Sequence, residues 1–147
     1  MRQVAGLRLP KFFNYYDSPV KLVATPGGGV AGWRLSKDTG GWREANNPID
    51  KMLFIGGDGI NEISRDEFIQ LTEHERGRYL RGDGPIFALY ETVRAIQDTL
   101  REERRYPMPQ EQALSRGVRR RTFVMFEEQL QQAGDPAADP TIAATAS

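Results

Sequence analysis

The chain has no cysteine, one histidine and no charge of either sign in excess: 20 basic residues balance 20 acidic ones over 147 positions. Without cysteine there are no disulfide scaffolds, thiolate zinc sites or cysteine nucleophiles. The single His74 excludes histidine-rich metal sites and reduces imidazole acid–base chemistry to one residue. Balanced charge argues against a protein built to coat nucleic acid or an anionic membrane, which needs surplus positive charge. Long apolar runs are also missing. Nothing approaches the roughly 18 apolar residues of a spanning helix, and charge interrupts the N-terminal segment before it reaches signal-peptide length. A cytoplasmic protein with no membrane attachment is the expectation. Lysine is scarce too: Lys11, Lys21, Lys37 and Lys51 are the four, and after Lys51 every Lys or Arg position is arginine. That skew fits a GC-rich bacterial coding sequence.

What is present divides into a β-rich first part and a helical second part. Val20–Ala24 and Val30–Leu35 are β-rich runs separated by Thr25-Pro26-Gly27-Gly28-Gly29, whose proline and glycines suit a hairpin reversal. Period two places Ala31, Trp33 and Leu35 on one face, with Trp33 as the expected core anchor. Trp42-Arg43-Glu44 is a third short strand. Asn47 and Pro48 mark the start of a short helix that Gly56-Gly57-Asp58-Gly59 closes, and Ile60–Ile63 is one more extended segment.

The strongest local signal is Ser64-Arg65-Asp66-Glu67, a capping box flanked by Ile63 and Phe68 as a hydrophobic staple. A helix follows, running to Leu80 or restarting at Thr72. Arg81-Gly82-Asp83-Gly84-Pro85 breaks it. The Arg-Gly-Asp tripeptide, known from integrin adhesion, reads here as a corner in which Asp83 caps the next helix. Ile86, Leu89, Tyr90, Val93, Ile96 and Leu100 form one stripe. If fully buried, each is worth on the order of 1.5–3 kcal/mol, so the stripe must dock on this chain or on another. Tyr106-Pro107-Met108-Pro109 ends that helix. A last helix spans about 110–133, with Leu114, Val118, Met125, Phe126 and Leu130 on its expected inner face and Gly134 as terminator. The Asp-Pro steps and small residues of 135–147 predict a disordered tail.

The expected architecture is therefore α+β: a small N-terminal antiparallel sheet or hairpin packed with a capped helix, a long C-terminal helical pair and a tail. The divisions are 1–83, 84–134 and 135–147, with the helical pair packed on the first part or on a partner.

Three functional classes compete. The aromatic segment around Phe12, Phe13, Tyr15 and Tyr16 puts rings on both sides of any backbone it adopts. One side can enter the core. The other, with Trp42, is the expected anchor for a partner, because such residues dominate interface energetics. The alternative is that helix 86–104 covers them. This favours a non-catalytic bacterial interaction protein (an adaptor, an assembly component or an immunity or antitoxin-like inhibitor) whose partner is another protein or a second copy. The second class is a nucleic-acid binder using Arg116, Arg119, Arg120 and Arg121, although Glu111, Glu127 and Glu128 sit close by. The third is a small carboxylate enzyme drawing on Asp17, Asp38, Asp50, Asp58 or Glu62, but no spacing singles out a pair, and Ser18 and Ser64 have no evident base. The glycine clusters lack phosphate-loop spacing. Glu73 and Glu75 flank His74 and would raise its pKa. No cofactor and no metal site is expected.

Overall fold

A computed structural model describes residues 2–4, 7–45 and 60–144. The expected helix at 47–53, its glycine closure, Asp50 and Asp58 lie outside the described residues. The element order is β1 (Arg2–Val4), β2 (Leu7–Leu9), β3 (Lys11–Tyr15), β4 (Ser18–Ala24), β5 (Val30–Leu35), β6 (Trp42–Glu44), β7 (Ile60–Ile63), α1 (Arg65–Tyr79), α2 (Pro85–Glu102) and α3 (Pro109–Gln132). A terminal 3-10 helix, Pro140–Ala144, follows. The fold is α+β.

Strands β3 to β7 form an antiparallel sheet in the order β6-β5-β4-β3-β7, and β1 pairs with β2 beside it. The aromatic segment is thus a strand inside the sheet, between β4 and β7. Alternation sorts its rings. Phe12 lies opposite Lys21 and Ile63, while Phe13 lies opposite Val20 and Glu62. The two faces bury different clusters. Phe12, Leu35 and Trp42 join Phe68, Ile69 and Phe123 from α1 and α3. Phe13, Val20 and Leu22 pack on Leu9 of β2 on the other side.

Helix α1 starts as its sequence predicts. Ser64 Oγ accepts from Glu67 N at 3.1 Å, and Glu67 Oε1 accepts from Ser64 N at 3.0 Å. Those bonds hold the Glu67 carboxyl below its ordinary range. The helix then runs to Tyr79 without restarting at Thr72. Asp83 does not cap α2. Gly84, at φ 104°, is the N-cap and has no side-chain cap bond. Gly82 lies so close to Phe87 that a β-carbon there would stand 2.9 Å from the ring. The α2 stripe docks within the chain: Ile86 and Tyr90 pack on Phe126 of α3. The expected inner face of α3 is corrected at two positions. Leu114 is exposed, and Phe123, unmarked in the sequence reading, is fully buried. Phe123 meets Phe68 edge-on at 6.4 Å, so one core crosses the division expected at residue 83.

The segment after Gly134 also departs from expectation. Of the tail predicted to be disordered, residues 135–144 are ordered, and residues 145–147 lie outside the described ones. Ala137, Ile142 and Ala143 are buried in the core with Phe12 and Trp42. Composition is a poor guide here because apolar area is only part of what holds the segment. This strap is held largely by polar groups: Trp42 N donates to Asp135 Oδ2 at 3.0 Å, Asp139 N donates to Glu127 Oε1 at 2.9 Å, and Lys21 donates to the Ala137 carbonyl.

Candidate functional site

Three places gather chemistry. The first is internal. On α1, residues 72, 73, 75 and 76 face inward although three of them are charged. Arg76 is their hub. Its Nη1 donates to Glu73 Oε2 at 2.8 Å, Nη2 to Glu127 Oε2 at 2.6 Å and Nε to the Gly40 carbonyl at 2.9 Å. Its guanidinium lies 4.2 Å from the Phe126 ring centroid. Tyr90 Oη donates to Glu73 Oε1 at 2.8 Å, and Trp42 Nε1 donates to Glu127 at 3.1 Å. The amino group of Lys21 sits 4.4 Å over the Trp42 ring and 4.0 Å from Glu127.

Burial pushes the Glu73 carboxyl up, against the pull of Arg76 and of hydrogen bonds from Thr122 and Tyr90. Burial also pushes the Tyr90 phenol up, reinforced by Glu73. For Arg76, burial acts downward, but Glu73 and Glu127 outweigh it and its pKa is raised. Two cations, Lys21 and Arg76, thus face two carboxylates, Glu73 and Glu127, and low dielectric makes each pairing strong and each vacancy costly. The void touching this network, lined by Glu73, Tyr90 and Thr122, holds about 20 Å³. That is room for one water. The network reads as a structural clamp joining sheet, helices and strap.

Lys21 gives the clamp a titration. Burial lowers its amine to about 8, against attraction from Glu127, Asp139 and Asp135. Between that value and the ordinary 10.5, the unfolded chain holds a proton that the folded chain has released. Stability contributed through Lys21 therefore rises with pH across this window. The full span corresponds to about 3 kcal/mol. Urea unfolding from pH 7 to 10.5 should show wild type gaining that stability relative to Lys21→Met, with a constant difference below pH 7. Parallel profiles would contradict the buried amine.

The second place is the outer face of the sheet. The β1–β2 hairpin covers part of it, and the end formed by β4, β5 and β6 is open. A groove of about 430 Å³ lies there, lined by Ser18, Arg34, Ser36, Lys37, Asp38 and Arg43, among others. Tyr15 meets one of its lining residues, Arg34, and Tyr16 packs edge-on against Tyr15. Tyr15 is half-buried, with Arg34 5.4 Å from its ring centroid, and Tyr16 is 63% exposed.

The third is the turn between α2 and α3. Arg105 forks onto Glu111 at 2.7 and 2.8 Å and reaches Glu103 at 2.6 Å. Glu111 Oε1 also accepts from Met108 N at 2.9 Å. Hydrogen bonds from Arg105 and Met108 pull the Glu111 carboxyl down to about 2. On this pinned turn Tyr106 is 93% exposed, Met108 50% and nearby Leu114 53%. A cleft of about 250 Å³ between the helices, lined by Ile96, Leu100 and Pro107 among others, opens beside them.

These positions revise the expected sites. Phe12, Phe13 and Trp42 are buried and cannot anchor a partner. The cover is α1, α3 and the strap over Phe12 and Trp42, and the β1–β2 hairpin over Phe13, rather than α2. The two tryptophans exchange roles: Trp33, the expected core anchor, is half-buried at the rim, and Trp42 is central. Of the aromatic set, Tyr15 and Tyr16 remain near the surface. The arginines of α3 do not form one open cationic face. Arg116 and Arg120 both pair with Asp66, the latter at 3.0 Å. Arg119 is drawn inward beside Glu73, its pKa lowered by burial, and Arg121 is exposed.

The carboxylates considered for catalysis sit on separate elements. Glu62 pairs with Lys11 and Asp38 with Arg43, and Asp17 lies in the β3–β4 turn. Among the described residues no group of three or more His, Asp or Glu is arranged to hold a metal ion, and no helix is long and apolar enough to cross a membrane. His74 reverses its expectation. Burial lowers its pKa, with Arg119 adding to the effect against the opposing pull of Glu75. Compared with known proteins, the chain matches no family model, no curated protein and no solved structure.

Proposed function

We propose that this chain acts without catalysis, by binding another protein through the α2–α3 turn. The observation that carries the reading is Tyr106, 93% exposed on a turn fixed by the Arg105–Glu111 fork. A large ring left in water on a mobile loop signals little. On a pinned turn its backbone is already set, so binding loses less backbone entropy. Met108 and Leu114 extend the apolar surface, and the Ile96–Leu100 cleft supplies a recess beside it. Adaptor, assembly and inhibitor roles all fit such a surface, with a second copy as an alternative partner. Arg116 and Arg120 share the Asp66 carboxylate and Arg119 is drawn inward, and the lack of one open cationic face weighs against a nucleic-acid role.

A central aromatic anchor typically contributes about 2 kcal/mol to binding, or roughly thirtyfold in affinity. Affinity purification from the native host, comparing wild type with Tyr106→Ser/Met108→Ser/Leu114→Ser, should show specific partners lost from the variant. Sedimentation of the two proteins distinguishes a second copy, which would give a wild-type dimer and a variant monomer. Identical recoveries together with identical sedimentation would defeat the proposal.

A further inference from the structure

The open end of the outer sheet face holds a pair of side chains that the fold does not explain. Arg34 of β5 and Arg43 of β6 are direct cross-strand partners. Pairing places both on one face, and like charges directly opposite each other destabilise a sheet. Nothing in the packing requires this arrangement, since Arg34 and Arg43 are both exposed.

Arg34 is nevertheless positioned. Its Nη2 donates to Ser18 Oγ at 3.1 Å, and its guanidinium lies 5.4 Å from the Tyr15 ring centroid. Ser18 is 98% buried, so this hydroxyl is a fixed point and still has a proton to donate. Tyr15 and Ser18 flank a tight turn in which Tyr16 and Asp17 both adopt left-handed backbone, at φ 50° and 64°. Two consecutive non-glycine residues in that region carry a conformational cost. The Asp17 amide donates to Asn14 Oδ1 at 2.8 Å, which holds the turn. The strained turn, the buried hydroxyl and the ring together fix one guanidinium over the groove.

Arg43 is held less firmly. Its partner is Asp38 at 3.5 Å, and both side chains are at least two-thirds exposed. Ion pairs this exposed contribute little, so an incoming anion can take Arg43 from Asp38. Lys37, also on the groove, reaches Glu75 at 3.3 Å. The carboxylates of Asp38 and Glu44 also line the groove and act against any anion, so binding depends on drawing Arg43 away from Asp38.

We infer that this groove is a binding site for a phosphoryl dianion, held between the Arg34 and Arg43 guanidinium groups with the Ser18 hydroxyl as an additional donor. A phosphoryl dianion offers two guanidinium forks three terminal oxygens and two charges, where a lone carboxylate offers two oxygens and one charge. The groove's volume of about 430 Å³ takes the group and a small ester substituent. This site is separate from the α2–α3 turn, and its failure leaves the protein-binding proposal untouched.

The test is calorimetric titration with inorganic phosphate, glycerol phosphate and acetate at constant ionic strength, on wild type, Arg34→Gln and Arg43→Gln. Both arginines are exposed, so the variants should keep the fold. Saturable phosphate binding is expected, at least tenfold tighter than acetate and weakened at least tenfold in each variant. Equal affinity for the two phosphates assigns a free-phosphate site, and tighter binding of glycerol phosphate assigns a monoester site; both support the inference. Amide shifts in wild type provide a measure independent of the variants, with changes expected at residues 15–18 and 34–43. Phosphate no tighter than acetate, undiminished binding in either variant, or shifts confined to other residues would overturn it.

Discussion

Replacing Arg76 with methionine should cost about 3–5 kcal/mol, the usual penalty for breaking a buried ion pair from one side. Methionine fills much of the volume and can still lie against Phe126, so lost packing is the smaller part. The larger part is what stays behind: Glu73 loses one donor and Glu127 another, at 2.8 and 2.6 Å, and both carboxylates remain in the core. The Gly40 carbonyl loses its donor as well. Against a net stability of about 5–15 kcal/mol, this brings the protein near its limit. Urea midpoints provide the measurement. The double variant Arg76→Met/Glu73→Gln should be less destabilised than the sum of its singles, because glutamine removes one of the stranded charges while Tyr90 keeps an acceptor. A loss under 1 kcal/mol for Arg76→Met would mean that water reaches this network.

Ending the chain at Gly134 should be nearly as damaging. Ile142 leaves the core with Ala137 and Ala143, uncovering Phe12 and Trp42. The Lys21 amine loses the Ala137 carbonyl, and Glu127 loses the Asp139 amide. Side-chain burial and the orphaned polar groups together amount to on the order of 4 kcal/mol. Thermal unfolding of the shortened chain at matched concentration measures it. A melting temperature equal to that of the full chain would show that the strap contributes nothing and restore the reading of a loose tail.

Local chemistry was legible in the sequence, and long-range pairing was not. The Ser64–Glu67 box and the 25–29 reversal are spelled out within a few residues. So was the α2 stripe, whose period of 3.6 survives burial. The inward face of α1 was hidden because Thr72, Glu73, Glu75 and Arg76 read as solvated. Only Glu127, 51 residues beyond Arg76, explains why that face can be buried. The strap was hidden for the same reason, since its main polar anchor is Lys21, 116 residues away. Tyr15 and Tyr16 stand out locally as part of an aromatic cluster, but the cation over the Tyr15 ring is Arg34, which β5 and β6 set opposite Arg43. The pairing of those two across β5 and β6 follows from a register that no local motif announces.

The strap also fixes an order of assembly. Strands β3 to β6 are a meander of neighbours, each closed by a short reversal, and can form as soon as they are synthesised. Lys21 lies in the middle of that meander, yet its carbonyl acceptor is among the last described residues to emerge. Until Ala137 arrives, the amine must remain hydrated and the apolar face around it incompletely sealed. Such distant closures lose chain entropy before any contact compensates. The nascent sheet therefore stays wet on one side until residues 135–144 have been made.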